Sequence, residues 1–195
     1  MKMKRTAAML LVAALLITAS VGLSGCSSDQ STDNAATKSL SKAFSTMDTK
    51  DINGEKVTSD IFADKKVTMV SVWATWCGVC VSEMPDIEKL SQYYSKGDEV
   101  GVVGLVTQAD RASGVMLTGL TKKEEAKALK IIKDSGATYT QLTVSSDMSS
   151  ALSDIQSFPT TYFLNSKGEV IGSPVIGRND IGEWKAIIQE KLNAV

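Results

Sequence analysis

Hydrophobic residues along this chain follow two kinds of pattern. Residues 67–73 and 100–106 are valine-rich runs without helical gaps, and each predicts a buried strand. Between them, residues 79–94 carry apolar side chains at helical spacing, and Pro85 is expected to bend this predicted helix because proline lacks an N–H group. Strands that alternate with helices in this way predict an α/β fold with a parallel core.

The segments around this core predict further helices and two hairpins. Asn53 and Gly54 tolerate the left-handed backbone of a type I′ turn, so residues 44–58 are expected to form an N-terminal β-hairpin. Residues 108–120 have no clear period and predict an irregular loop. The other predicted elements are helices over residues 121–135, 147–152 and 180–192, an edge strand over 139–144, and a closing hairpin of strands 160–164 and 170–175.

Two capping patterns support the longer of these helices. Thr121 with Glu124, and Asp180 with Glu183, have the spacing of a capping box at a helix N-terminus. Gly136 follows the first of these helices, where a left-handed residue commonly ends a helix.

The first 25 residues resemble a bacterial lipoprotein signal peptide. A basic start with Lys2, Lys4 and Arg5 precedes an apolar run over residues 7–21 that is too short to span a bilayer comfortably. The four residues LSGC, which end at Cys26, resemble a lipobox, in which the cysteine is lipidated and becomes the mature N-terminus. An ordinary secretory signal with an incidental cysteine is the alternative.

Composition divides the remaining chain into a tether and one domain. Residues 26–42 are polar and cannot bury enough apolar surface to offset their ordering entropy, so we expect a lipidated N-terminus and flexible tether there. Residues 43–195 are expected to form a single domain without a transmembrane helix. Without residues 1–25 the chain keeps 18 basic and 22 acidic residues, a formal net charge of −4, which argues against nucleic-acid binding.

The three cysteines are accounted for by one lipid and one C-x-x-C pair. With Cys26 assigned to the lipid, Cys77 and Cys80 remain, separated by two residues, and the chain has no histidine. A disulfide that closes so small a ring adds little stability, so the pair favours reversible redox chemistry over a structural staple. Disulfides persist outside the cytoplasm, which is therefore the expected compartment.

Cys77 lies at the junction between the first core strand and the helix that follows. The unpaired N–H groups and the dipole of a helix N-terminus favour a thiolate, so we expect Cys77 to be the exposed, low-pKa nucleophile. Cys80, one turn further on the same face, is expected to resolve the mixed disulfide, and Gly78 to leave the loop unhindered. No basic residue lies between the two cysteines to lower the pKa of the nucleophile further.

Other uses of a C-x-x-C motif fit this chain less well. A structural zinc site needs four ligands, and the chain offers neither a histidine nor a second cysteine pair. A copper carrier normally also uses histidine or methionine; Met84 and Met116 are present, but methionine more often fills cores. A cysteine peroxidase would set one thiolate in a different loop pattern. We therefore expect no metal and no cofactor.

Two motifs carry a resemblance to a known family. The segment VWATWCGVC over residues 72–80, followed by EMP at 83–85, resembles the thioredoxin-like lipoproteins and membrane-tethered reductases of the TlpA/ResA family. The segment FPTTYFL over residues 158–164, followed by Gly168, is similar to the second signature of that family. The resemblance covers about residues 40–195. It implies a thioredoxin-like fold, with a central mixed sheet flanked by helices and an N-terminal β-hairpin extension.

The resemblance also implies roles for single residues. Cys77 is the nucleophile and Cys80 the resolving thiol, with Trp76 shielding the pair. Pro159 is a cis-proline that faces the cysteines and leaves the adjacent backbone free to pair with a substrate chain. Glu83 matches an acidic residue that affects thiol ionisation. The supporting residues implied around these groups are Gly78, Val79, Phe158 and Thr160.

Two features depart from the usual pattern. Ser71 stands where cytosolic thioredoxins carry a buried aspartate that serves proton transfer, and Glu83 is the natural substitute for that base. Residues 108–120 form a longer loop than is usual in the family, either a neutral surface insertion or a substrate contact.

The resemblance implies a reductase anchored by a lipid on the extracytoplasmic face of the bacterial plasma membrane. Such a protein would act as a monomer, take electrons from a membrane donor of the CcdA/DsbD type, and reduce client proteins such as apocytochromes c or methionine sulfoxide reductases. Two alternatives stay open. One is an oxidant that introduces disulfides into secreted proteins, and the other is a non-catalytic lipoprotein that binds a metal or small ligand. The dipeptide Gly78-Val79 does not determine the direction of electron transfer.

Overall fold

The elements of the fold lie in residues 29–97, 99–109 and 116–195, which the computed structural model describes. The helices are α1 (Asp29–Ser45), α2 (Gly78–Tyr94), α3 (Lys122–Ser135), α4 (Ser146–Ala151) and α5 (Ile181–Leu192). The strands are β1 (Asp48–Lys50), β2 (Lys56–Thr58), β3 (Val67–Ala74), β4 (Val100–Ala109), β5 (Met116–Leu117), β6 (Gln141–Thr143), β7 (Thr160–Leu164) and β8 (Val175–Ile176). A 3₁₀ turn, Ser59–Phe62, connects β2 to the segment before β3.

A six-stranded mixed sheet has β3 near its middle. Strand β3 pairs in parallel with β4, from Val67 opposite Val100 to Ala74 opposite Thr107, and antiparallel with β7. Strand β6 joins β4 in parallel, β5 pairs antiparallel with the end of β4, and β8 joins β7 antiparallel. Every residue of β3 is buried, as expected for a strand covered on both faces.

Alternating side chains of β3 contribute to two separate cores. Val70 and Val72 belong to a first core, which also contains residues of α1 and α4. Met69 and Trp73 belong to a second core, with residues of α2, α3 and α5. Because successive side chains of a strand lie on opposite faces, one strand supplies both cores. The sheet is therefore the middle layer between two layers of helices.

This architecture confirms the predicted thioredoxin-like α/β fold. The sheet is mixed and flanked by helices, and β1 and β2 form a separate antiparallel hairpin. Helices α2, α3 and α5 lie where the hydrophobic spacing predicts them, and Pro85 lies inside α2. Thr121 and Asp180 cap α3 and α5 through side-chain hydrogen bonds. Gly136 follows α3 with a left-handed φ of 70°.

The turn of the N-terminal hairpin differs from the predicted type I′ turn. Lys50 pairs with Lys56, so the strands are joined by a longer loop than two residues. The Asp51 carboxylate organises this loop by accepting hydrogen bonds from the backbone N–H groups of Asn53 and Glu55, both at 2.9 Å. The Gly54 N–H also donates to the Asp51 carbonyl oxygen at 3.1 Å, so the tight turn lies one residue earlier than predicted and Gly54 follows it with a left-handed φ of 87°.

A helix replaces most of the predicted flexible tether. Helix α1 begins at Asp29, whereas the polar composition of residues 26–42 predicts an unstructured segment. Leu40, Ala43 and Phe44 share one helix face and are buried in the first core. Three apolar residues spaced three and four apart are enough to dock a helix. The buried face is therefore not evident from the overall composition of the segment, which is polar.

The predicted signal peptide and the lipidation site at Cys26 lie outside the described residues. Within residues 29–97, 99–109 and 116–195, no helix combines the length and the hydrophobicity needed to cross a membrane. The anchor therefore stays a prediction from the sequence.

Two strands differ in extent from their prediction. Strand β4 runs on to Ala109 and pairs with β5, inside the segment 108–120 that is predicted to be an irregular loop. The second strand of the closing hairpin is limited to β8, not residues 170–175. Gly172 and Pro174 explain the shorter strand, because glycine weakens a strand and proline cannot donate to its ladder.

The docking of α1 predicts a loss of stability in one core variant. Phe44 is 1% exposed and packs its ring against Phe62 and Tyr162. We expect Phe44→Ala to lower the free energy of unfolding by about 3–4 kcal/mol, because it removes a packed aromatic ring. Urea denaturation followed by circular dichroism measures this change. Lys38→Ala, at an exposed position of the same helix, is the control, and equal stability of both variants would show that α1 is not docked.

Candidate active site

The end of β3 places Cys77 at the start of α2. After Ala74 the chain turns, and the Cys77 N–H donates a hydrogen bond to the Ala74 carbonyl oxygen at 3.0 Å. Cys77 is the N-cap of α2, and its Sγ accepts a hydrogen bond from the Cys80 N–H at 3.2 Å. Because the first N–H groups of a helix lack partners within the helix, they stabilise negative charge on this sulfur when the pair is reduced.

Cys77 and Cys80 form a disulfide. Their sulfur atoms are 2.06 Å apart and their Cα atoms 5.3 Å apart. Only 6% of Cys77 and 2% of Cys80 are exposed, so the expectation of an exposed Cys77 is wrong for the disulfide form. The reason is that both residues belong to the second core, where apolar neighbours surround them. Cys77 is the more accessible of the two, so an incoming sulfur meets it first.

Trp76 and Phe158 form an aromatic pair next to the disulfide. Their ring centroids are 5.4 Å apart and their planes 81° apart, an edge-to-face contact of the kind that aromatic rings favour. Both rings pack against the second core, which contains the two cysteines. The contact brings together the two sequence motifs, which lie far apart along the chain.

The peptide bond between Phe158 and Pro159 is cis, as the resemblance implies. The Pro159 carbonyl oxygen accepts a hydrogen bond from the Gly177 N–H at 2.9 Å. The Thr160 hydroxyl donates to the Ser157 carbonyl oxygen at 2.7 Å. These two hydrogen bonds hold the segment in place at the beginning of β7.

The two residues between the cysteines face outward. Val79 is 51% exposed, and Gly78 is exposed as well. A Cβ atom added to Gly78 would meet no atom within 4 Å, so packing within the described residues does not require glycine at this position. The loop at Gly78 is therefore open to solvent on this side.

Glu83 is a buried carboxylate one turn of α2 beyond Cys80. It is 0% exposed, and its Oε1 accepts hydrogen bonds from the Asn179 N–H at 2.9 Å and the Trp184 Nε1–H at 3.0 Å. Burial raises the pKa of Glu83, and the hydrogen bonds and the nearby Arg178 guanidinium offset only part of that rise. Its Oε2 is buried without a hydrogen-bond partner among the described residues. Glu83 is therefore not a solvated helix residue.

An ion pair at the surface joins α2 to the segment before α5. Arg178 Nη2 lies 3.1 Å from Asp86 Oδ2, and Lys89 Nζ lies 3.0 Å from Asp86 Oδ1. The hydrogen bond from Lys89 and the one from Arg178 lower the pKa of the Asp86 carboxyl. Because Arg178 precedes Asn179, this pair helps to hold the backbone N–H that binds Glu83.

Several partners of the site are not predicted from the sequence. The Thr75 hydroxyl, two residues before Cys77, donates a hydrogen bond to the Glu124 carboxylate at the start of α3. The Trp73 Nε1–H donates to Gln141 Oε1 at 2.9 Å. Gln141 packs so closely over Gly104 that a Cβ there would clash with its Oε1. The capping box marks Glu124, but no local pattern indicates its contact with Thr75.

Comparison with known proteins identifies the family. The Redoxin family model matches residues 34–180. The chain belongs to the Redoxin family. The thioredoxin-like protein YneN from Bacillus subtilis (strain 168) is 31% identical over 121 residues, which are 62% of each chain. The thiol:disulfide interchange protein DsbE from Haemophilus influenzae is 28% identical over 116 residues, 58% of this chain and 52% of the relative. This Redoxin-family chain thus spans only half to two thirds of the length of these two relatives.

Solved structures share the fold of this Redoxin-family protein. A thiol:disulfide interchange protein of the thioredoxin family from Chlorobium tepidum TLS has a TM-score of 0.59 at 18% identity, over 75% of this chain and 92% of that one. StoA from Bacillus subtilis has a TM-score of 0.54 at 21% identity, over 72% of this chain and 93% of that one. At this identity the likeness shows the thioredoxin-like fold.

The site of this Redoxin-family protein is suited to thiol–disulfide exchange. Two cysteines that reach bonding distance can hold two electrons as thiols and give them up when the disulfide forms. Across the part of the chain that the structure describes, no group of three or more His, Cys, Asp or Glu side chains is arranged to hold a metal ion. The family and the cysteine pair together indicate oxidoreductase chemistry.

The raised pKa of Glu83 predicts a pH dependence of stability that Glu83→Gln removes. The folded protein binds this proton more tightly than the unfolded chain, where the pKa is near 4.5. Glu83 therefore adds its full contribution to the free energy of unfolding at pH values below about 4.5. This contribution is lost as the pH rises through the folded-state pKa, and the loss is at most about 1.4 kcal/mol per pH unit because one proton is involved. Urea denaturation of the disulfide form at a series of pH values measures it.

The comparison with wild type separates this effect from a general loss of stability. As the pH rises, the stability of Glu83→Gln is expected to improve relative to wild type. Glu125→Gln, at an exposed position of α3, is the control and is expected to leave the pH dependence unchanged. A wild-type-like pH dependence in Glu83→Gln would contradict the assignment.

Proposed function

We propose that this protein is a membrane-anchored, extracytoplasmic thiol–disulfide oxidoreductase that works as a reductase. The observation that carries the proposal is the Cys77–Cys80 disulfide at the N-terminus of α2, next to the aromatic contact between Trp76 and Phe158. Membership of the Redoxin family supports the same chemistry. Relatives named thiol:disulfide interchange proteins agree with it.

The proposed reaction moves two electrons from the reduced pair to a client disulfide. The Cys77 thiolate attacks one client sulfur, a mixed disulfide forms, and the other client sulfur leaves as a thiolate. Cys80 then loses its proton and attacks Cys77 Sγ, which releases the first client sulfur and restores the Cys77–Cys80 disulfide. The client is left as a dithiol once its two sulfurs are protonated.

In this scheme Glu83 accepts the proton from Cys80. Residues three apart on a helix lie on the same face, so Glu83 shares a face of α2 with Cys80. A carboxylate whose pKa is raised by burial is a better proton acceptor near neutral pH than an exposed one. Its Oε2 is the atom available for the proton, because Oε1 already accepts hydrogen bonds from Asn179 and Trp184. Ser71, buried in β3, carries no acid for this role.

The direction and the partners follow from the resemblance and the predicted anchor. Strong oxidants of this fold usually carry a histidine within the C-x-x-C motif, and this chain has Gly78 and Val79 there. We assign the anchor to lipidated Cys26, on the extracytoplasmic face of the plasma membrane. The electron donor is then a membrane dithiol protein of the CcdA/DsbD type, and the clients are proteins such as apocytochromes c or methionine sulfoxide reductases.

Reduction of insulin disulfides by the purified chain, with dithiothreitol as the electron source, tests the chemistry. Cys77→Ser is expected to lower the rate to that of dithiothreitol alone, because the attacking sulfur is lost. Cys80→Ser is expected to accumulate a mixed disulfide with the client, because the resolving sulfur is lost. Ser82→Ala, on the exposed side of the same helix turn, is the control. Full activity of Cys77→Ser would exclude the proposed mechanism.

The reduction potential of the Cys77–Cys80 pair decides the direction. We expect a value near or below about −250 mV, close to the reductases of this fold, by equilibration against glutathione or dithiothreitol. A value near about −120 mV would instead identify an oxidant of secreted proteins.

The anchor is tested by a change at Cys26 alone. In bacteria that express the full chain, Cys26→Ala is expected to release the protein from the membrane fraction, because a covalent lipid supplies the binding energy there. Cell fractionation with immunodetection measures the distribution, and Ser28→Ala is the control. A variant that stays with the membrane would show that another feature provides attachment.

A further inference from the structure

The segment that joins β8 to α5 is bonded to two parts of the candidate active site. The Gly177 N–H donates a hydrogen bond to the Pro159 carbonyl oxygen at 2.9 Å. Two residues later, the Asn179 N–H donates to Glu83 Oε1 at 2.9 Å. Consecutive Cα atoms are about 3.8 Å apart, so a displacement at one of these contacts also moves the other. The position of this segment therefore decides whether Glu83 keeps its backbone hydrogen bond.

Arg178, which lies between these two contacts, attaches the segment to α2 through its side chain. Its Nη2 lies 3.1 Å from Asp86 Oδ2, and Asp86 follows Glu83 by one turn of α2. Lys89 Nζ binds the other oxygen of the same carboxylate at 3.0 Å, but Lys89 belongs to α2 itself. Of these two cations, only Arg178 connects Asp86 to the segment that contains Asn179.

The ion pair between Arg178 and Asp86 is partly exposed to solvent. The exposed fraction is 47% for the Arg178 side chain and 19% for the Asp86 side chain. Ion pairs that solvent can reach contribute little to the free energy of unfolding, because water screens their charges. The position of this pair between two contacts of the active site instead indicates an effect on the local geometry. We therefore expect that effect in the protonation of Glu83 rather than in the stability of the fold.

The titratable and charged groups around Glu83 give this effect a direction. Arg178 favours the charged form of Glu83, whereas Asp86 opposes it. Tyr139, which precedes β6, also interacts electrostatically with Glu83, but burial raises the pKa of its phenol, so Tyr139 stays uncharged near neutral pH. Cys80 precedes Glu83 by one turn and titrates only when the disulfide is reduced. Helix α5 contributes an uncharged indole donor.

We propose that Arg178 is a positioning residue for the redox reaction: by holding its segment against α2, it keeps the Asn179 N–H on the Glu83 carboxylate. The ion pair thereby stabilises the charged form of Glu83, which accepts the Cys80 proton in the proposed reaction. The inference rests on that proposed function. The proton leaves Cys80 Sγ as the bond between Glu83 Oε2 and hydrogen forms, so atoms and charge balance without a further reactant.

Titration of Glu83 in the disulfide form tests the positioning without any redox step. Nuclear magnetic resonance of the carboxyl carbons follows protonation in the purified chain, and Glu83→Gln identifies the signal. We expect Arg178→Gln to raise the titration midpoint by about half a pH unit, because the carboxylate loses a nearby positive charge and a fixed donor. Lys89→Gln, which removes the other cation from Asp86, is the matched control and is expected to leave the midpoint unchanged. An unchanged midpoint in Arg178→Gln, or an equal rise in both variants, would overturn the proposal.

The substitution Asp86→Ala separates positioning from the effect of charge alone. It keeps the charge of Arg178 and removes a negative charge near Glu83, and electrostatics alone would then lower the pKa of Glu83. We expect the titration midpoint to rise instead, because Arg178 loses the carboxylate that holds its segment in place. A midpoint that falls or stays unchanged would show that Arg178 acts only through its charge, and would overturn the positioning role.

The reaction of the reduced chain with the aromatic disulfide dithiobis(nitrobenzoate) tests the consequence for catalysis. Attack by Cys77 releases one coloured thiolate, and attack by Cys80 on the mixed disulfide releases the second. On the acid side of the pH profile we expect Arg178→Gln to slow the second release about two- to threefold and to leave the first unchanged, because less of Glu83 is charged. Equal second-release rates in wild type and Arg178→Gln would overturn the link to the reaction. Absence of both releases in wild type would instead contradict the proposed function, whereas the titration of Glu83 does not depend on it.

Discussion

Pairing of β3 on both of its edges is the constraint on which the rest of the structure depends. Strands β4 and β7 flank it, and all eight of its residues are buried. A slip of one residue would exchange the side chains of the two cores, so the register is strongly determined. Ala74 is therefore fixed opposite Thr107, and the turn that follows brings Cys77 to the start of α2. The reactive sulfur owes its position to the register of the sheet.

Helix α2 connects the disulfide to the C-terminal part of the chain through one buried acid. Burial of a carboxylate is costly, and the hydrogen bonds from Asn179 and Trp184 to Glu83 offset part of that cost. Both donors belong to the segment that includes α5 and the loop before it. Glu83 therefore has these hydrogen bonds only when α5 is packed in place. Residues far along the chain thus complete a site that begins at Cys77.

Local sequence patterns predict most of the helices and strands of this fold, but few of the side-chain contacts between them. Strands β3 and β4 and helices α2, α3 and α5 are predictable because their apolar spacing reflects the faces that the fold buries. Helix α1 is not, because Leu40, Ala43 and Phe44 are the buried apolar residues among those of its side chains that the structure describes, and they lie within a polar segment. The partners of Glu83 lie 96 and 101 positions away, and contacts at such separations leave no periodic signal in the sequence.

Burial of the disulfide restricts access to its two sulfur atoms. With 6% of Cys77 and 2% of Cys80 exposed, the bond offers a narrow approach to an incoming sulfur. Exchange rates depend on access as well as on driving force. A small thiol gains nothing from the surface around the opening, whereas a protein that fits against Trp76 and Val79 brings its own sulfur to the bond. Among reductants of equal reduction potential, the one whose surface fits around the disulfide then reacts fastest.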